Sequence, residues 1–174
     1  MSAVDLLAAE LVEPARDIKL NLQSVLTAAC SLTPEQRWGT AVAAAVASRN
    51  VRLQVAVVAD ARKEIGPAVV DDAVAAAVVM AMNNVYYRFR HHIGKPSYED
   101  RPARLRMNRL VKPAGSKVNF ELFSLAASAV LGCDWCMRAH ERVVVEGGVT
   151  EEQVHDAIRI AATIQGAAVA LEVA

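Results

Sequence analysis

The 174-residue sequence has few aromatic residues, few cysteines and no excess charge of either sign. Lysine and arginine together number 19, as do aspartate and glutamate. A chain without net charge has no field to attract nucleic acid or an anionic membrane, so we expect neither as a partner. Aromatic residues make up only 5% of the chain, whereas hydrophobic residues, many of them alanine and valine, make up 54%. Such small side chains allow helices to pack closely.

Long apolar runs are absent too. The longest, AVAAAVAS and AVAAAVVMAM, fall short of the roughly 18 residues that a membrane-spanning helix needs. The first residues, MSAVDLLAAELVEPARD, lack the basic segment of a secretory signal and carry acidic residues instead. We therefore expect a soluble, cytoplasmic protein, and one domain over residues 1–174 is sufficient for a chain of this length.

Two of the three cysteines, Cys133 and Cys136, form a C-x-x-C sequence, and His140 follows four residues later. A helix that starts near Gly132 would place all three on one face. The positive end of a helix dipole lowers the pKa of a thiol at the helix start, and a nearby histidine can carry the thiol proton. The spacing therefore predicts a reactive dithiol rather than core packing.

Glu121 is the candidate that orients or charges His140, but it lies nineteen residues earlier. A straight helix would separate the two by roughly 28 Å, at about 1.5 Å per residue. If the chain turns back near Leu131 and Gly132, they meet across two antiparallel helices. Gly132 is the expected breaker because glycine tolerates positive φ.

A glutamate followed by C-x-x-C-x-x-x-H-E resembles the AhpD alkyl hydroperoxidases, within the carboxymuconolactone decarboxylase-like superfamily. The segments DIKLNL (17–22), MNNVYYR (82–88) and LRMN (105–108) extend the resemblance over most of the chain. The resemblance implies an all-α, AhpD-like fold and a thiol-dependent peroxidase that reduces organic hydroperoxides. It also implies that the disulfide can reduce a partner peroxiredoxin.

The resemblance further implies a role for each site residue. Cys136 would be the peroxidatic thiol that becomes a sulfenic acid, Cys133 the resolving thiol and proton donor, and Glu121 with His140 the proton relay. No cofactor or metal is implied; electrons would come from a dihydrolipoyl group on a lipoylated acyltransferase, and the chain would form a homotrimer. The best-known members carry a second histidine just before the second cysteine, where this chain has Trp135.

Other interpretations of the C-x-x-C segment stay open at this point. Zinc could bind the two thiolates with His140 and Glu121, although closed structural sites usually draw on more cysteine and histidine. A thioredoxin-like fold would place the motif after a strand, whereas FELFSLAASAVL is helical in composition. A protein disulfide reductase and a non-peroxidase decarboxylase relative are further alternatives, but a decarboxylase does not need a dithiol.

Helix signals recur along the chain, and no strand pattern is credible. Thr33, followed by Pro34 and Gln36, predicts a helix that runs to about Ser48. A long helix is expected from Asp71 or Asp72, and a last helix from Thr150 to about Val169. A shift of 82 residues aligns the predicted helices of 36–90 with those of 118–172. We therefore predict a duplicated helical unit in which only the second copy carries the chemistry.

Several polar residues outside the motif need an explanation. Asn83 and Asn84 interrupt an apolar helix, and buried amides need partners, so we expect them to tie that helix to the loop around Gly115. His91 and His92 are expected to be solvated or to cap the end of the same helix. A basic cluster is expected on a solvated or subunit-contact surface; it comprises Arg101, Arg104, Arg106 and Arg109.

Overall fold

The computed structural model describes residues 1–27 and 30–173, which form ten α-helices and one 3-10 turn without a strand. In chain order the elements are α1 (Ala3–Ala9), the 3-10 turn (Glu13–Ala15), α2 (Arg16–Thr27), α3 (Pro34–Ser48), α4 (Val51–Glu64), α5 (Pro67–Ile93), α6 (Pro96–Glu99), α7 (Asn108–Val111), α8 (Lys117–Val130), α9 (Asp134–Glu146) and α10 (Glu151–Glu172). The all-α prediction is confirmed.

The helix starts predicted at Thr33 and Thr150 are confirmed. Each threonine hydroxyl accepts a hydrogen bond from the backbone N–H of the glutamine three residues later, at 3.2 Å in both cases. The side chains of Gln36 and Gln153 accept hydrogen bonds in return from the threonine N–H groups. These reciprocal pairs satisfy N–H groups that have no partner inside the helix. The helix that follows Thr150 continues to Glu172, three residues beyond its predicted end.

Helix α5 begins at Pro67, so the predicted start at Asp71 or Asp72 is wrong. Proline suits the first helical position because its fixed φ is already helical and its missing N–H would have no partner there. Asp72 is instead a buried anchor, whose carboxylate accepts hydrogen bonds from the backbone N–H groups of residues 114–115 at 3.0 and 2.7 Å. Arg109, one of the arginines expected on a solvated or subunit-contact surface, also pairs with this carboxylate, at 2.8 Å, and its side chain is 39% exposed.

The sequence predicted that Asn83 and Asn84 would bind the loop around Gly115. Among the described residues Asp72 holds that loop instead. Asn84 instead joins α5 to α8, because the Ser128 hydroxyl donates a hydrogen bond to its Oδ1 at 3.2 Å. The sequence indicated correctly that a buried amide needs a partner, but the partner lies on another helix.

Helix α8 lies at the centre of the fold. Its residues from Phe120 to Ser128 are buried without interruption, so the helix is covered on every side. Helices α3, α5, α9 and α10 all pack against it. Helix α3 comes close to α8 at Gly39, where an added Cβ would lie 2.1 Å from Cζ of Phe123. This packing places Glu121 inside the core.

By length and composition α5 could cross a membrane, and it is the one helix of residues 1–27 and 30–173 that could. The uninterrupted apolar runs of the sequence did not indicate this helix, because its apolar segment of 18 residues includes a few polar side chains. Helix α5 packs against α3 and α8, and the core helix of a soluble protein passes the same test.

Candidate active site

The turn between α8 and α9 is centred on Gly132, as predicted. Gly132 has a φ of +68°, and the N–H groups of Gly132 and Cys133 donate to the carbonyl oxygens of Ala129 and Ser128 at 3.2 and 3.1 Å. These two bonds form a Schellman motif, which ends α8 and satisfies carbonyl groups of its last turn. The chain then returns along α8 as helix α9.

Cys133 and Cys136 lie at the start of α9 and are joined by a disulfide bond, with their Cα atoms 5.3 Å apart. Cys133 is the N-cap residue, and its sulfur accepts a hydrogen bond from the backbone N–H of Cys136 at 3.3 Å. The prediction that the pair lies at a helix start is confirmed. Free N–H groups and the positive end of the helix dipole favour the thiolate form of a cysteine in this position.

The two cysteines differ in access. Cys133 is fully enclosed, whereas Cys136 is 5% exposed and lines a cavity of about 230 Å³. Most of the cavity wall is apolar or aromatic, formed by Met80, Tyr87, Met107, Leu110, Trp135 and Ala139. The polar side chains of the wall are those of Asn83 and His140. An apolar molecule with one reactive polar group fits such a lining.

Glu121 and His140 meet across α8 and α9, as the predicted turn requires. Nδ1 of His140 lies 2.6 Å from Oε2 of Glu121. The other ring nitrogen, Nε2, lies 3.1 Å from the sulfur of Met80. Carboxylate and thioether both act here as hydrogen-bond acceptors, so an imidazole ring with a proton on each nitrogen satisfies both contacts.

Lys117 contacts the second oxygen of Glu121 from one turn earlier on α8. Its Nζ lies 2.6 Å from Oε1 of Glu121 and also donates to the carbonyl oxygen of Leu110. Burial by itself raises the pKa of Glu121, but the hydrogen bonds from His140 and Lys117 outweigh burial and hold the pKa below its ordinary value of 4.5. Glu121 is therefore a buried carboxylate at neutral pH. Sequence analysis missed Lys117, although its i,i+4 spacing to Glu121 was a usable signal.

Trp135 is half exposed and stacks on the ring of His91 at a centroid distance of 5.2 Å. Nε2 of His91 also lies 3.8 Å from a carboxylate oxygen of Asp134. His91 is in the last turn of α5, as predicted, but its ring contacts α9 rather than solvent alone. Trp135 and Tyr87 line both the cavity at Cys136 and a second cavity of about 250 Å³.

The zinc interpretation requires at least three ligands in one place. Within the part of the chain that the structure describes, no group of three or more histidine, cysteine, aspartate or glutamate side chains is placed to hold a metal ion. The structure does bring Glu121 to His140 and place Cys136 with His140 at one cavity. The catalytic roles expected for these residues stay predictions.

Comparison with known proteins agrees with the resemblance seen in the sequence. Residues 96–174 match the carboxymuconolactone decarboxylase family. The chain is 68% identical over 174 residues to the alkyl hydroperoxide reductase AhpD of Anaeromyxobacter dehalogenans strain 2CP-C, which covers 100% of this chain and 93% of that protein. The corresponding protein of Rhodospirillum centenum is 48% identical over 170 residues, covering 98% and 91%. That of Brucella melitensis is 45% identical over 172 residues, covering 99% and 98%.

Proposed function

Because this chain belongs to the AhpD family of alkyl hydroperoxide reductases, we propose that it reduces organic hydroperoxides to alcohols through a dithiol–disulfide cycle of Cys133 and Cys136. The observation that carries this proposal is the apolar cavity, whose wall contains Cys136 and His140. An alkyl group can lie against the apolar side chains while the peroxide group meets the sulfur.

In the first step Cys136 is the peroxidatic residue. Its thiolate attacks the terminal oxygen of the hydroperoxide, so that a sulfur–oxygen bond forms and the oxygen–oxygen bond breaks. The alkoxide takes up a proton and leaves as the alcohol, and Cys136 becomes a sulfenic acid. His140 is the cavity residue that can donate this proton, and the Glu121 carboxylate stabilises the protonated ring.

In the second step Cys133 resolves the sulfenic acid. Its thiol attacks the sulfur of Cys136, water leaves, and the disulfide bond seen in the structure forms. The N-cap position supports this role, because it holds the sulfur of Cys133 against the backbone of Cys136 in an enclosed site. An enclosed resolving thiol is protected from side reactions with peroxide.

The disulfide must then receive two electrons, and we propose a dihydrolipoyl group on a lipoylated acyltransferase as their source. A dithiol reduces a disulfide by exchange, without flavin, haem or metal. The same exchange would allow the protein to pass electrons to a partner peroxiredoxin, which makes protein disulfide reduction the second candidate function. The thiol chemistry also supports a cytoplasmic location, where cysteines are kept reduced.

Steady-state kinetics with dihydrolipoamide and an alkyl hydroperoxide would test this function. We expect equal amounts of alcohol and oxidised lipoamide, and no turnover by a variant in which both Cys133 and Cys136 are serine. If the wild-type protein reduces the disulfide of a peroxiredoxin but no hydroperoxide, the second candidate is correct. If it does neither, the peroxidase proposal is wrong.

We further propose a homotrimer and a duplicated helical unit in one domain. An exposed apolar stripe along α5 supports the trimer; it comprises Val78, Val85, Phe89 and Ile93, which share one helix face.

The order of the helices supports the duplicated unit. Helices α3 to α5 recur in the same order and with similar lengths as α8 to α10, and the 82-residue shift aligns the ends of α3 and α4 with those of α8 and α9. These correspondences support the duplication.

A further inference from the structure

Residues 107–115, here called the wall segment, form one side of the cavity at Cys136 and are helical only over α7. Met107 and Leu110 of this segment line the cavity, whereas the other lining residues belong to α5 and α9. The four residues of α7 all stay partly exposed, and isolated helices shorter than about 12 residues are hardly stable in water. Contacts outside the segment must therefore hold Met107 and Leu110 in place.

Asp72 of α5 supplies such contacts from a buried position. Its carboxylate accepts hydrogen bonds from the backbone N–H groups of Ala114 and Gly115 at 3.0 and 2.7 Å. The guanidinium of Arg109 lies 2.8 Å from the same carboxylate, and the Asp72 side chain is only 3% exposed. A carboxylate is stable in such a place only while its hydrogen bonds and its cation are present. Since all three groups belong to the wall segment, the position of the segment and the burial of Asp72 depend on each other.

Asp72 is well separated from the chemistry. Met80, the first residue of α5 in the cavity wall, lies eight residues later, roughly 12 Å along the helix at about 1.5 Å per residue. Another polar anchor of the wall segment, Lys117, donates to the carbonyl oxygen of Leu110 but also contacts Glu121 and so belongs to the proposed relay. Asp72 is thus an anchor that can be changed without removing a contact of Glu121.

We propose that Asp72 sets the size of the hydroperoxides that the enzyme accepts, because it holds Met107 and Leu110 in place opposite Cys136. This inference rests on the proposed peroxidase function. With the wall segment fixed, the cavity of about 230 Å³ contacts a small alkyl group closely and leaves little room for a large one. If the segment is released, its apolar side chains can move outward, so a large alkyl group gains room while a small one loses contacts. Asp72 is therefore a positioning residue that does not contact the substrate.

The test is Asp72→Asn, which keeps the size of the side chain but removes its charge and one acceptor. The measured quantity is the ratio of kcat/KM for cumene hydroperoxide to kcat/KM for the smaller tert-butyl hydroperoxide. We expect this ratio to rise about tenfold, which corresponds to roughly one methylene group in an apolar pocket. A simple loss of stability would lower the amount of active enzyme and reduce both values equally, so it would leave the ratio unchanged.

Alkylation of the reduced protein tests the same wall without peroxide. N-methylmaleimide and N-phenylmaleimide differ in size, and peptide mass spectrometry would follow their reaction at Cys136. We expect Asp72→Asn to raise the rate with the phenyl reagent relative to the rate with the methyl reagent. This measurement does not need peroxidase activity, so it tests the inference in either case. A wild-type protein that consumes no hydroperoxide would defeat only the proposed function.

Asp60→Asn is the matched control, because Asp60 is a buried carboxylate of the same kind. It accepts a hydrogen bond from the N–H of Val4 at 2.8 Å and pairs with Lys63 at 2.7 Å, but it holds α1 rather than a wall of the cavity at Cys136. Asp60→Asn should lower the melting temperature and leave both ratios at their wild-type values. If Asp72→Asn does not fold, Arg109→Met loosens the same anchor at a side chain that is 39% exposed. A ratio in either measurement that stays at its wild-type value or falls would overturn the proposal, as would an equal rise in Asp60→Asn.

Discussion

The carboxylate of Glu121 lies 2.6 Å from Nδ1 of His140, although nineteen residues separate the two in the chain. The contact exists because α8 ends at the turn around Gly132 and α9 returns along it. Lys117 contacts the other carboxylate oxygen of Glu121. Lys117, Glu121 and His140 therefore form a chain of contacts that reaches the cavity wall at His140. The chain of contacts ends at Met80, whose sulfur contacts the far nitrogen of His140.

Glu121→Gln and His140→Gln should each slow hydroperoxide reduction without unfolding the protein. General acid–base assistance contributes on the order of a hundredfold, so each loss should be clear of assay error. The double variant should be hardly slower than either single variant, because the loss of either residue already disconnects the relay. Rates of alkyl hydroperoxide reduction for the four proteins provide the measurement. Losses that multiply in the double variant would show that the two residues act independently.

Replacement of each cysteine by serine should affect peroxide reduction in a different way. Cys136→Ser should abolish peroxide reduction, because the sulfur in the cavity wall is gone. Cys133→Ser should still consume about one equivalent of peroxide and then stop as a sulfenic acid on Cys136. Dimedone labelling followed by peptide mass spectrometry would locate the sulfenic acid. A stable sulfenic acid on Cys133 in Cys136→Ser would reverse the assignment of the two roles.

Lys117→Met should move the acidic limb of the pH–rate profile to higher pH. The substitution removes a hydrogen bond and a cation that lower the pKa of Glu121, while the burial that raises this pKa stays. Glu121 then becomes protonated at a higher pH, and the relay loses its carboxylate sooner as the solution is acidified. Lys117→Arg keeps the cation and should restore most of the profile. An acidic limb that is the same in Lys117→Met and wild type would remove Lys117 from the relay.

The free energy of unfolding should fall on acidification, with Asp156 among the groups responsible. Hydrogen bonds from the backbone N–H and hydroxyl of Ser31, at 3.0 and 2.8 Å, hold the pKa of Asp156 below its ordinary value of 3.8. A lowered pKa in the folded state gives stability that is present above the ordinary value and is lost as the pH falls through the lowered one. Denaturant unfolding as a function of pH should therefore show a shallower acid loss for Asp156→Asn. Parallel wild-type and variant curves would contradict this.

Val85→Asp should disrupt the proposed trimer, because it places a charge in the exposed apolar stripe of α5. Sedimentation at micromolar concentration should show a trimer for the wild type and a smaller species for the variant. Val51→Asp is the control, since Val51 is a similarly exposed valine on α4. If Val51→Asp dissociates the protein and Val85→Asp does not, the subunit contact involves α4 rather than the apolar stripe of α5.

Local signals allowed much of this fold to be predicted. The caps at Thr33 and Thr150 and the stop at Gly132 depend on residues within five positions of each other, and all three are confirmed. The Glu121–His140 contact also followed, because one identified turn fixes which residues face each other.

Contacts between distant elements were harder to predict. The buried role of Asp72 depends on a loop more than forty residues later, and this contact outweighed its value as a helix-start residue. The cavity wall combines side chains from α5, α7 and α9 with the loop before α7, so periodicity could not separate Asn83 from Asn84. Both asparagines carry the same signal in the sequence, and only tertiary packing distinguishes them.

The unequal access to the two sulfurs has a kinetic consequence. Cys133 is enclosed, and the accessible side of the pair, Cys136, belongs to the cavity wall. If Cys136 is the peroxidatic residue, as proposed, a donor thiol attacks it at the place where the peroxide reacts, and Cys133 leaves as the released thiol. Oxidant and reductant would then react in turn at the same cavity. The enzyme should accordingly show ping-pong kinetics in which a high concentration of either substrate inhibits the half-reaction of the other.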